Sequence, residues 1–309
     1  MIRPTAIRDL TVDAPRGPHG GRFIAAGSGL VRAGEHLYVI ADDERELAVF
    51  PAEGEAPGTL RRMLPGELPS DPAERKRQKP DFEALVLLPA AALPGDGGGA
   101  LLALESGSRD SRRGGVLWAL DETGALSGEP RRLDLAPLYA ALAAEIPDLN
   151  IEGAAVAGDR LILFQRGNGA GAVNATVELA LEDCLPDIGR GRLSDDAVRG
   201  QRRYDLGTID GVRLAFSDAA ALADGRIVYT AVAEGGDDTY ADGSCAGAGV
   251  GVLTADGERT GWERLDPPAK VEGIEARADA DGTIALLMVA DADDPAKPSP
   301  LLAAALPGG

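Results

Sequence analysis

Apolar and polar positions along this chain fall into a unit that recurs five times. Its clearest copy, LNIEGAAVAGDRLILFQRGN (149–168), runs apolar residue, acid, small-residue apolar stretch, Gly-Asp turn, apolar run. That pattern predicts two strands joined by a tight turn. The same order appears in AAGSGLVRAGEHLYVIADDE, PDFEALVLLPAAALPGDGGGALLALESGS, LAFSDAAALADGRIVYTAVAEG and AKVEGIEARADADGTIALLMVADADD. Between copies lie two further strand candidates each time: ELAVF and TLRRML, GVLWAL and PRRLDL, TVELAL and RRYDLG, GVGVLTA and TGWERL. Four strands per unit, repeated along the chain, is the plan of a propeller blade.

The fifth unit ends one strand short, after PSPLLAAAL, and TAIRDLTVD near the N terminus can supply the missing strand. Such closure ties the first blade to the last and removes the edges an open array would expose. The expectation is an all-β, five-bladed β-propeller over residues 1–309 as a single domain. Its blades should fall near 20–65, 80–135, 150–207, 212–266 and 270–305 plus 4–13. One short helix, Ala136–Glu145, should sit between blades two and three.

Composition agrees, and it narrows the partners. Aromatic residues make up 4% of the chain, whereas Gly (41) and Pro (21) are plentiful, which favours short elements joined by turns. A net charge of −19 opposes nucleic-acid binding, which needs a basic surface. No run of 18 apolar residues occurs, and MIRPTAIRDLTVD lacks the apolar segment of a signal peptide, so no membrane partner is expected. Cys184 and Cys245 read as free thiols, and His19 and His36 are too few for a histidine metal site. These features point to a cytoplasmic protein, a monomer or weak homodimer.

In a propeller the first strand of each blade lines the central channel. The residue opening that strand is Ser28, Glu83, Glu152, Ser217 and Glu272 in turn, and all five should meet at one end of the channel. Three acids in one narrow ring repel one another and would be driven towards protonation unless a cation sat among them. Calcium suits that ring, because it accepts six to eight oxygen ligands in flexible geometry. The glutamates could instead cap backbone amides at the blade starts, with water filling the channel.

The order Ser–Glu–Glu–Ser–Glu, one residue per blade, resembles the calcium ring of the soluble calcium-activated nucleotidases, the apyrase family of five-bladed propellers. The resemblance implies a calcium ion held by those five residues and hydrolysis of nucleoside di- and triphosphates. The Glu-Gly pairs at Glu152-Gly153 and Glu272-Gly273 are similar to motifs of bacterial phytase-like and esterase-like propellers. Fold and metal carry over in such comparisons better than substrate does.

Loops following the second strand of each blade return to the same end of the channel, and polar loops on a rigid scaffold are where function concentrates. With the blade entries they carry Lys79, Arg109, Arg112, Arg113, Arg166 and Lys270. Arginine forks grip phosphate or carboxylate oxygens, so Arg109 and Arg166 are the candidates for holding an anionic small-molecule substrate. Ion pairing with neighbours such as Asp42, Asp110 and Asp291 would be the simpler use of these bases. Asp42 and Asp291, with Asp237, Asp238 and Asp293, could orient a water or hold a second cation. DADG (279–282) and GNGAG (167–171) imitate calcium and phosphate loops but occupy ordinary turns.

The expected function is calcium-dependent hydrolysis of a phosphorylated small molecule at the channel mouth. The alternatives are a non-enzymatic, calcium-stabilised binding propeller and a metal-dependent lactonase or esterase. Alanine at Arg166 is expected to abolish turnover and leave stability intact.

Overall fold

In the computed structural model, residues 1–16, 20–90, 98–169, 171–235 and 245–307 are described. Asp237, Asp238 and His19 lie outside them. Five antiparallel sheets stand around a common axis. Blade one is Gly27–Ala33, His36–Ala41, Glu46–Pro51 and Thr59–Arg62. Blade two is Phe82–Leu88, Ala100–Glu105, Gly114–Ala119 and Arg131–Asp134, and blade three is Ile151–Ala157, Arg160–Gln165, Asn174–Ala180 and Val198–Tyr204. Blade four is Val212–Ala221, Ile227–Glu234, Cys245–Leu253 and Arg259–Arg264, with the short strand Thr208–Ile209 beside its inner edge. Blade five is Lys270–Ala278, Ile284–Asp291, Pro300–Leu306 and, from the other end of the chain, Thr5–Asp9. Each first strand packs against the next, and Lys270–Ala278 returns to Gly27–Ala33, so the ring is closed.

The N-terminal closure takes the predicted form, with Thr5 opposite Ala303 and Asp9 opposite Pro300. The chain then continues beyond the strand needed for closure. Thr11–Arg16 pairs with Gly21–Phe23 as a separate hairpin, and Val12 bridges to Gly58 at the rim of blade one.

The inner strands of each blade read as apolar runs because both of their faces are buried, whereas the outermost strands, such as Val198–Tyr204, are largely exposed. Ala100, Leu102 and Leu104 face blade three, whereas Leu101 and Ala103 on the same strand face blade one. Leu161 and Leu163 likewise face blade two while Ile162 and Phe164 face blade four. Among the described residues the core therefore forms one cluster in each gap between neighbouring blades. Period-two alternation survives, but both sets are apolar.

The helix Ala136–Glu145 has the predicted bounds and packs Leu138, Tyr139 and Leu142 into the gap between blades two and three. Two more helices join it, correcting the expectation of one. Pro72–Gln78 begins with the Asp71 side chain accepting from the Glu74 amide at 2.8 Å and Pro72 in the first turn, a start signal visible in SDPAER. Leu181–Gly189 buries Leu181, Cys184 and Ile188 on one face despite Pro186 inside it, so tertiary packing overrides a poor local sequence. No described helix is long and apolar enough to cross a membrane.

Candidate functional site at the channel mouth

Each first strand carries one β-bulge, and each bulge falls on the residue that the repeat singles out. Register skips between Gly27 and Gly29, Phe82 and Ala84, Ile151 and Gly153, Phe216 and Asp218, and Val271 and Gly273. Ser28, Glu83, Glu152, Ser217 and Glu272 are the extra residues. A bulge leaves its extra residue unpaired and re-aims the side chain, which is how a buried strand presents an acid to the axis. The glycine after Glu152 and Glu272 is a matter of space. A Cβ on Gly153 would lie 2.8 Å from Asp218 Cα, and one on Gly273 3.0 Å from the Gly29 carbonyl carbon. The first strands approach too closely there for any side chain.

Serine and glutamate do different work in this ring. Ser28 Oγ donates to the Phe82 carbonyl at 2.6 Å, and Ser217 Oγ donates to the Val271 carbonyl at 2.6 Å. Each serine thus fastens the residue just before the next blade's glutamate. Ser28 still borders the cavity at the mouth, whereas Ser217 lies behind it, 2.9 Å from the Thr230 hydroxyl. Free edges of the first strands are satisfied in the same cross-blade manner. Asp218 accepts from the Ile274 amide at 2.8 Å, and Glu275 from the Arg32 amide at 3.3 Å.

The glutamates enclose a cavity of about 160 Å³. Among the described residues eight carboxylates and five cationic side chains border it. Arg166 reaches across the ring: Nη1 lies 3.0 Å from Glu152 and 3.7 Å from Glu272, and Nη2 donates to Glu234. Glu152 also accepts from Asn150 Nδ2 at 2.5 Å. Lys270 Nζ stands 2.8 Å from Glu234, 3.2 Å from Asp291, 2.9 Å from Asp293 and 3.8 Å from Glu272. On the far wall Lys79 pairs with Asp42 and, at 3.0 Å, with Asp81, while Arg112 donates to Asp81 at 2.7 Å.

Burial and mutual repulsion set the protonation of these groups. Burial, then Glu152, Asp81 and Asp42, hold the Glu83 carboxyl well above its ordinary range, against some relief from Lys79. Burial raises Glu272 strongly and Glu152 less, with Arg166 opposing in both cases. Asp42 is pushed up to about 6 by burial despite Lys79. Asp81 resists its burial because Lys79 and Arg112 pull it below the usual carboxylate range. Burial alone would lower Lys79, but Asp42, Asp81 and Glu83 raise it.

The candidates named from sequence divide accordingly. Asp42, Arg166 and Asp291 occupy one equivalent place in their blades, directly after the residue paired with the last position before the bulge. Ser106 and Val232 fill that place in blades two and four. Arg109 departs from expectation: it begins the short turn Asp110–Arg112, and that loop borders the cavity through Ser108 and Arg112 instead. Arg166 is buried among three carboxylates, so removing it cannot leave stability intact. Sequence reasoning missed Asp81, Asn150 and Glu234. Asp81 has a positive φ of 61° and accepts from Ser106 Oγ at 2.6 Å; its only signal was its place two residues before Glu83.

The chemistry of the donor set suits a hard cation, since every carboxylate here offers oxygen. Among the described residues Glu272 Oε2 is buried with no hydrogen-bond partner. One oxygen from each of Asp42, Asp81 and Glu83 lies within 4.8 Å of the others, a spacing a divalent ion can bridge. The axis itself does not offer a five-residue shell, because the Arg166 guanidinium already bridges Glu152, Glu234 and Glu272. The oxygens that converge closely enough for a cation are those of Asp42, Asp81 and Glu83, where Lys79 already pairs with the first two and would have to share them.

Fold and site together define a five-bladed propeller whose channel mouth holds a dense, buried cluster of carboxylates and cations. Over residues 23–306 the chain matches a family of unknown function (DUF6929), and it belongs to that family. The match is to this family rather than to the nucleotidases that its ring order resembles. No curated protein matches it. Among solved structures it is similar to glutaminyl cyclase of Myxococcus xanthus, at 14% identity and a TM-score of 0.48 over 98% of this chain and 97% of that one. An alpha-L-arabinofuranosidase of Podospora anserina, in complex with cellotriose, shares 13% identity at a TM-score of 0.47, with 98% of each chain covered. A putative gluconolactonase shares 14% identity at a TM-score of 0.41, covering 99% of this chain and 97% of that one. These likenesses are of fold alone.

Proposed function

We propose that the protein is a divalent-cation-dependent hydrolase that acts on a small anionic ester or anhydride at the channel mouth. The observation that carries this reading is the Asp42–Asp81–Glu83 group, three carboxylates of adjacent blades whose oxygens converge on the wall of a polar cavity. Calcium, the cation expected from the ring, would supply Lewis-acid polarisation of a bound ester or anhydride oxygen. The chain's own residues do the rest. Lys79 and Arg112 hold Asp81 ionised, and Ser106 and Ser108 fix its carboxylate from below. Lys76, on the same helix as Lys79's approach, brings a further positive charge to the rim for an anionic substrate.

Arg166 takes a positioning role in this scheme. Its guanidinium keeps Glu152 and Glu272 in place on the axis side, so it shapes the floor of the cavity. A second reading, a ligand-binding propeller without turnover, is favoured by one observation: Lys79, Arg112, Arg166 and Lys270 are each already paired with carboxylate.

A panel of nucleotides, phosphomonoesters, carboxyl esters and lactones, assayed with calcium, with magnesium and with chelator, tests the proposal. Metal-dependent product release from an anionic ester or anhydride is expected. Absence of turnover on every member, with cation binding established by calorimetry, would replace it by the second reading.

A further inference from the structure

A second cavity, of about 280 Å³, opens on the outer flank of blade one. The end of the N-terminal strand Thr11–Arg16, the loop after the second strand, the end of strand Thr59–Arg62 and the helix Pro72–Gln78 form its walls. Arg16, Arg45, Arg62 and Arg75 all border it. This protein carries a net charge of −19 with 31 basic residues in all, so four guanidiniums around one cavity run against its overall charge.

We infer that this cavity binds a small oxyanion, a phosphate or a carboxylate carried by a small molecule. The first support is the concentration of guanidiniums. Four arginines share the wall with Glu44, Glu46 and Glu67, and Asp43 pairs with Arg16 at 3.3 Å, so the carboxylates balance the cations and hold them in place. The second is unmet hydrogen-bonding capacity. Arg16 is almost wholly buried, with Nη2 held 2.9 Å from Glu44, yet its Nε–H finds no acceptor. Arg45 is in the same condition: Nη1 donates to the Pro65 carbonyl at 2.6 Å, and its buried Nε has no partner. A buried N–H without an acceptor is costly, and a small turn of either fork towards the cavity would offer it to an oxyanion's acceptors.

The third support is geometry. Arg62 holds its Nη2 3.1 Å from Glu46 and 2.8 Å from Glu67, and Arg75 pairs with Glu44 while donating to the Asp43 carbonyl at 2.9 Å. These carboxylates hold the forks around the cavity, and planar forks match phosphate and carboxylate oxygens. The site is separate from the channel mouth: the helix Pro72–Gln78 turns Arg75 to the flank and Lys76 to the central cavity. The inference does not depend on the hydrolase reading.

Calorimetric titration of the full chain with inorganic phosphate and with sulfate, against chloride at matched ionic strength, tests it. Three proteins are compared: wild type, the Arg45→Gln/Arg62→Gln double variant, and Lys76→Gln, which reports on the central cavity. Saturable phosphate binding by wild type is expected, at least tenfold weaker in the double variant, whereas Lys76→Gln keeps a saturable site of wild-type affinity on the flank. Should the double variant not fold, as judged by circular dichroism, Arg45→Gln alone carries the same comparison. No saturable binding by wild type overturns the inference. So does binding that Lys76→Gln abolishes and the double variant retains, because the anion then sits at the channel mouth.

Discussion

Replacing Arg166 by Met removes the cation from the centre of the ring while keeping most of its apolar volume. Its guanidinium lies 3.0 Å from Glu152 and 3.7 Å from Glu272 and also contacts Glu234, all within a buried cavity. Breaking a buried ion pair by deleting one partner costs about 3–5 kcal/mol, because a charge is left buried without compensation. Here three carboxylates lose a shared partner, so the upper half of that range is expected at pH 8. The loss should shrink in acid. Burial already raises Glu152 and Glu272 despite the arginine, and without it both should rise further, so protons replace the missing charge as pH falls. Urea denaturation followed by the fluorescence of Trp118 and Trp262, at pH 8 and pH 5, measures both quantities. A loss below about 1 kcal/mol at pH 8, in the range of a solvent-screened surface pair, would refute the assignment of Arg166 as the ring's own counter-charge. A loss of equal size at both pH values would refute the protonation argument.

Glu83→Gln should weaken calcium binding at least tenfold in a calorimetric titration, and it should stabilise the metal-free protein by about 1 kcal/mol at pH 8, since one of several repelling buried charges is gone. Glu275, whose carboxyl burial pushes up to about 7, should cost the wild type stability as pH rises from the unfolded value of 4.5 through 7. Glu275→Gln keeps an acceptor for the Arg32 amide, so it should be more stable by about 2 kcal/mol at pH 8, after discounting for partial exposure, with no difference below pH 4.5. Ser217→Ala should cost about 1–2 kcal/mol in chemical denaturation, because the buried Val271 carbonyl loses its donor. Deleting residues 1–10 removes the closing strand and the fully buried Leu10, so a melting scan should show a loss of at least about 3 kcal/mol, and size exclusion should show self-association through the exposed edge of Pro300–Leu306.

The repeat was legible because a propeller writes one spatial position once per blade. Glu152 could be matched to Ser28, Glu83, Ser217 and Glu272 by the turn and apolar run that follow each of them, and the five bulges put those residues on one ring. The same counting reaches the second layer, since Asp42, Arg166 and Asp291 hold equivalent places at the ends of their second strands. Asp81 and Asn150 stand two residues before Glu83 and Glu152, the place Lys270 holds before Glu272, but the residue type changes from blade to blade, so the spacing alone does not mark them as part of the site. The helix Leu181–Gly189 was hidden for a different reason, as Pro186 argues locally against a helix that packing nonetheless supports.

Sequence alone determined the blade count, the closure by the N terminus and the ring that gathers Glu83, Glu152 and Glu272, because these follow from periodic local patterns and the need to cover strand edges. It also showed that basic side chains gather near that ring. What they do there was decided only by tertiary structure. Whether Arg166 faces a substrate or bridges Glu152, Glu234 and Glu272 depends on three blades meeting at one point. So does the turning of Ser28 and Ser217 onto the backbone of the next blade. Electrostatic energy at short range depends on distances of a few ångströms between residues far apart in the chain, and no spacing along the sequence encodes them.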